Sequence, residues 1–243
     1  MTTTSLSPTP FNVIARAALA EGVGSFFLLA TVVGSGIAAT RLSPGARGLE
    51  LLENALATGT VLATLIVTFA PLSGAHFNPV VSLLQWTRGR LDSQRLLPYV
   101  LAQILGGAAG TIVANLMFAL PAVTVSTTSR SAGHLWLGEL IATLGLLLVV
   151  VGTERHSIIT GAAAVGGYIT GAYFFTSSTS FANPAVTLAR TLSNSFAGIA
   201  PRSVPGFVLA QGVGLLLALL LLRLLGDGVS RSLSSPPTKG PHS

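Results

Sequence analysis

Ser73-Gly74-Ala75-His76-Phe77-Asn78-Pro79-Val80-Val81-Ser82-Leu83 and Ser180-Phe181-Ala182-Asn183-Pro184-Ala185-Val186-Thr187-Leu188 follow one pattern, with their Asn-Pro pairs 105 residues apart. Each lies in a long stretch without Asp, Glu, Lys or Arg, 34 residues from Asn54 to Thr87 and 33 from Ser157 to Ala189. A single helix of that length would run to roughly 50 Å, against a hydrocarbon core of about 30 Å. Each stretch must therefore hold one spanning helix and a second piece that turns back inside the bilayer. Asn-Pro suits the start of that piece. Asn caps a helix, and Pro fits the first turn because the N–H it lacks would be unpaired there. Two half-helices whose N-termini meet at mid-membrane describe a pore.

The rest of the chain agrees with residence in a bilayer. Half of the 243 residues are hydrophobic and only 8% are charged, which makes nearly the whole chain candidate membrane material and one integral domain over 1–243. The net charge of +6 comes from basic residues set singly between apolar runs, a topological signal rather than a nucleic-acid patch. The absence of cysteine excludes disulfides and thiolate metal sites, and nothing in the pattern requires a metal or cofactor. MTTTSLSPTP has no basic residue and does not resemble a signal peptide. The Ser- and Pro-rich segment 230–243 reads as a disordered tail.

Six apolar segments are expected to span, at about 13–39, 50–71, 96–120, 134–153, 157–176 and 204–225. Gly106/Gly110 and Gly167/Gly171 have the spacing that lets helices approach closely in lipid. With the N-terminus inside, the inner side holds Arg16, Arg88, Arg90, Arg95, Arg155, Arg223, Arg231 and Lys239, and the outer side Arg41, Arg47, Arg130, Arg190 and Arg202. That bias places both termini in the cytoplasm, for a protein of the cell or inner membrane.

The halves match beyond Asn-Pro. Ala20-Glu21 answers Gly138-Glu139, and Tyr99-Val100-Leu101-Ala102-Gln103 answers Phe207-Val208-Leu209-Ala210-Gln211. Three spans per half is an odd number, so the second repeat (134–225) enters from the side opposite to the first (13–120). Inverted repeats with broken helices are a recurrent transport architecture. Glu21 and Glu139, acids in apolar spans, are open to three readings: a proton relay, an ion site, or a brace for neighbouring backbone N–H groups. Their symmetric placement suits the brace. His76 is a pore-wall or loop-packing residue, or alternatively a pH gate. At the pore centre, Asn78 and Asn183 would offer side-chain N–H donors to a passing oxygen. The half-helix ends beside them carry partial positive charge that opposes cations.

In these tokens (Ser73 to Val80, Ser180 to Ala185, the buried acids and the repeat) the chain resembles the aquaporin, or major intrinsic protein, family from about residue 13 to 225. The resemblance implies an all-α integral membrane fold, with six transmembrane helices in a right-handed bundle and two re-entrant half-helices. It also implies a pore in every monomer, a homotetramer, and a bracing role for Glu21 and Glu139. The motifs become Asn78-Pro79-Val80, with Val where the family has Ala, and Asn183-Pro184-Ala185. The family commonly carries Arg directly after the second motif, and here that position is Val186. Counting back along the matching segments, the resemblance puts the other selectivity-filter positions at Thr58, Gly171 and Ser180. This set is small and uncharged. A wide filter without Arg, with only half-helix dipoles as a barrier to ions, is the expectation. Arg190, one turn beyond Val186, is open to two readings: it partly replaces the lost charge or, the preferred one, it anchors the outer vestibule to backbone or solvent.

The function expected is passive conduction of small neutral solutes broader than water. Neutral metalloid hydroxides such as arsenite, antimonite or boric acid come first, because the glycerol branch keeps an Arg and an aromatic wall. A glycerol or water facilitator is the alternative. An intramembrane enzyme would need a His at catalytic reach within facing spans, and His134, His156 and His242 fall at ends or tails. A coupled carrier would need an ion site beyond two symmetric Glu residues.

Overall fold

The computed structural model describes residues 10–226. Arg231, Lys239 and the expected disordered tail lie outside the described residues, as do the first nine residues. The described chain forms eight α-helices: α1 (Pro10–Leu42), α2 (Arg47–Ser73), α3 (Pro79–Thr87), α4 (Ser93–Met117), α5 (Gly133–Thr153), α6 (Ile158–Phe175), α7 (Pro184–Ala189) and α8 (Val204–Leu224). No strand occurs among the described residues. Six of the helices are long and apolar enough to cross a membrane. The other two, α3 and α7, begin at the two Asn-Pro pairs. The outward surface carries large apolar side chains, among them Leu19, Leu105, Phe174, Leu209 and Leu216, as lipid contact requires.

The repeat is visible in the packing. α1 lies along α4 and α2, and α5 lies along α8 and α6, while α2 against α6 joins the halves. Glycine sets the closest approaches. A Cβ on Gly106 or Gly110 would run into the carbonyl oxygen of Gly22 or Phe26 on α1, so the expected close packing holds for that pair. It does not hold for Gly167 and Gly171, around which a Cβ would meet nothing within 4 Å. The tight crossing on α6 belongs instead to Gly166, which faces Gly59 of α2 backbone to backbone. α6 buries Ala162, Val165, Ile169 and Tyr173 at helical spacing. Gly167 and Gly171 fall on the opposite side of that helix and are exposed.

Candidate functional site: a lumen between two capped half-helices

Asn78 and Asn183 do the same work at equivalent places. Both sit in extended backbone just before their half-helix. Asn78 Oδ1 accepts from Val80 N at 3.1 Å, and Asn183 Oδ1 accepts from Ala185 N at 2.9 Å and Val186 N at 3.2 Å. Each therefore satisfies N–H groups that a helix start leaves unpaired. Their amides then cross the pseudo-twofold axis. Asn78 Nδ2 donates to Ala182 O and Asn183 Nδ2 donates to Phe77 O, both at 2.8 Å. One Nδ2 hydrogen of each ties the two loops together, and the second remains for a solute.

The segments that lead into the half-helices are strained in matching places. Ala75 and Phe77, three residues and one residue before Asn78, have φ of 54° and 49°. Ser180 and Ala182, at the same offsets from Asn183, both have φ of 48°. Non-glycine residues occupy this left-handed region only when their surroundings enforce it. The enforcement comes from the two buried acids. Glu21 Oε1 accepts from Ser73 Oγ (2.6 Å) and His76 N (2.9 Å), while Oε2 accepts from Phe77 N (2.6 Å) and Gln103 Nε2 (2.7 Å). Glu139 accepts from Phe181 N and Ala182 N, both at 2.8 Å, and from Gln211 Nε2 at 2.6 Å. Gln103 and Gln211 also donate to Ser82 Oγ and Thr187 Oγ1 of the half-helices. Each repeated token of the sequence is thus one part of a loop-holding network, built twice.

The two loops that these networks hold line one cavity of about 250 Å³. Val32, Leu62, Ile66, Val165 and Ile169 give it an apolar wall, and Asn78, Asn183 and His76 lie along it. His76 Nδ1 is 3.1 Å from Ser82 Oγ, so the imidazole is held to the half-helix while it faces the lumen. Pro79, Val80 and Ala185 are not lining residues; Val80 and Ala185 are buried behind the wall, and Pro79 fixes the first turn of α3. Apart from His76 and His156, the acidic or basic lining residues are Glu154 and Arg190, and these two mark opposite ends. Glu154 is paired with Arg88 and Arg90 and accepts from Gln85 Nε2 at 2.7 Å.

The filter positions divide. Thr58, Ser180 and Val186 line the cavity at the end away from Glu154; Gly171 does not. Two residues away from both Ile169 and Tyr173, it lies about 200° around the helix from each lining side chain. Counting along the chain from Asn183 therefore lands on the outward face. The residue that α6 does present is Tyr173, whose Oη donates to Thr58 Oγ1 at 3.2 Å. Where a small, uncharged filter set with Gly171 is expected, α6 thus presents an aromatic wall. The α6 period of 162, 165, 169 and 173 carried that signal in the sequence. Arg190 is the second difference. Its Nε donates to Ala197 O, which is the expected anchor, but the side chain also lines the lumen and is only 2% exposed.

The sequence model of the family described as "Major intrinsic protein" matches residues 9–157. Among curated relatives, the chain is 46% identical over 212 residues to a protein named aquaglyceroporin AqpS from Rhizobium meliloti, covering 87% of this chain and 91% of the relative. It is 38% identical over 159 residues to the lens fiber major intrinsic protein of Gallus gallus, covering 62% and 58% of the two chains. Among solved structures, the aquaglyceroporin from Plasmodium falciparum superposes with a TM-score of 0.66 at 23% identity, over 86% of this chain and 95% of that one.

Proposed function

The chain belongs to the major intrinsic protein family, and we propose that it conducts small neutral hydroxylated solutes of glycerol size, neutral metalloid hydroxides among them. Proteins of this family are channels rather than enzymes, and this one is a multi-pass membrane channel for small solutes. The observation that carries the finer reading is the composition of the lumen wall around the expected filter positions. Thr58, Tyr173 and Ser180 supply hydroxyls to the wall, and Val186 and Ile169 supply hydrocarbon beside them. A polyol presents the same division, and so does a compact trihydroxide such as arsenite. The relative at 46% identity and the P. falciparum neighbour are both named aquaglyceroporins, which supports glycerol as a substrate.

Two arguments favoured metalloids over glycerol in the sequence: no filter Arg and no aromatic wall. Tyr173 supplies an aromatic ring and Arg190 a guanidinium at the lumen wall, so the two solute classes are placed on one footing. Coupled transport finds no support in the acids, since Glu21 and Glu139 are wholly buried and committed to the loops. We further assign both termini to the cytoplasm, the protein to the cell or inner membrane, and the active assembly to a homotetramer. Proteoliposome swelling with glycerol and with water, beside arsenite uptake, tests the proposal. Downhill flux of glycerol and arsenite without any ion gradient is expected; a protein that passes water alone would overturn it.

A further inference from the structure

Arg190 lines the pore from a position beyond the Asn-Pro motif. It ends the second half-helix, one turn beyond Val186, and its side chain lines the lumen. Three contacts define its place. The Phe181 ring lies 3.4 Å from its Cζ, its Nε donates to the Ala197 carbonyl, and Arg130 approaches the same Phe181 ring, with Cζ 5.1 Å from the centroid. A guanidinium has five N–H donors. Among the described residues none accepts from its two Nη groups, and Arg190 is one of the residues that line the lumen. The mount itself is rigid: Phe181 is 4% exposed, and its backbone N–H is held by Glu139.

We propose that Arg190 is the charge-selective residue of this pore, a guanidinium carried into the lumen from one turn beyond the motif and clamped there by Phe181 and the Ala197 carbonyl. Val186 leaves room beside it, and the charge acts without narrowing the aperture at that level. A cation within about 6 Å of a fixed unit charge, at an effective dielectric near 20, is disfavoured by roughly a hundredfold. A neutral solute pays no such penalty. The lumen thus rejects sodium and hydronium while remaining wide enough for a polyol. This inference deepens the channel reading above and rests on it.

The chain contains no cysteine, so a single Arg190→Cys variant carries the only thiol. In proteoliposomes, Arg190→Cys should still pass glycerol but leak sodium and protons roughly tenfold to a hundredfold faster than wild type. Methanethiosulfonate ethylammonium, which forms a mixed disulfide with the thiol and releases methanesulfinate, should restore the barrier by placing an ammonium there. The anionic ethylsulfonate reagent should raise the leak further. Arg190→Lys, which keeps the charge, should stay tight. A glycerol-conducting Arg190→Cys with unchanged leak, or a thiol that neither reagent reaches, would overturn the assignment. Should that variant fail to fold, the wild type still decides, because a wild-type cation leak above that of empty liposomes contradicts it. A wild type that passes no neutral solute removes the channel reading itself, and this inference with it.

Discussion

Tyr173 and Val186 face the same lumen from α6 and α7, so a change at either alters one aperture. Val186→Arg adds a long cationic side chain where Arg190 already reaches. Glycerol and arsenite flux should fall roughly tenfold or more relative to water flux, because water passes a narrower opening in single file. Parallel swelling and uptake assays on the two proteins check this, and an equal loss for all solutes would rule out selective narrowing. Gly171→Leu provides the contrast. Its side chain would project outward into the open space around Gly171, so the ratio of glycerol to water flux should stay at the wild-type value. If that ratio shifts, the face assigned to Tyr173 is wrong. The register of α6 explains why this residue escaped the motif-based count. A motif fixes positions only as far as the connecting backbone is known, and Thr176 to Ala182 is an irregular segment with three positive-φ residues. The sequence singles out Arg190 but leaves its place open between vestibule anchor and replacement charge, because a side chain that long, one turn from the motif, can lie along the helix toward either end.

At the scale of elements, the re-entrant segments hold a conformation they would not choose. Ala75, Phe77, Ser180 and Ala182 stay left-handed because Glu21 and Glu139 collect the N–H groups that this geometry turns inward. Glu21→Gln and Glu139→Gln keep the shape but replace one acceptor oxygen by an NH₂ group that faces other donors. Each should destabilise the fold by about 3 kcal/mol, visible as a lower thermal midpoint in detergent. Intact thermal stability with flux that has only lost its pH dependence would instead support a proton relay. A second element-level test lies at the helix crossing between the halves. Gly59→Leu would drive a side chain into Thr170 and the Gly166 carbonyl, so the folded yield should drop sharply in size-exclusion profiles. Unchanged yield would mean that α2 and α6 are free to part.

For the whole molecule, the repeat was legible in the sequence because its tokens are interlocking parts. Acid, Asn-Pro and aromatic-Val-Leu-Ala-Gln must all be present for one loop to be held, and so they appear twice in the same order. What the order of tokens could not convey is which parts cross between repeats. Asn78 reaches for a carbonyl at Ala182, and Asn183 for one at Phe77, across 104 and 106 residues. That cross-tie has a consequence for how the protein is made. When Asn78 leaves the ribosome its acceptor does not yet exist, and at about 5–20 residues per second it arrives some 5–20 s later. During that interval the first loop has its Glu21 brace and no counterpart. A nascent chain stopped after residue 153 should therefore insert its first spans yet leave the segment around Ala75–Pro79 open to cleavage, whereas the complete chain protects it. Equal protection in both would show that the first half closes by itself. The second half-helix is then more than the mirror of the first: it is the late-arriving part that turns an inserted bundle into a sealed membrane.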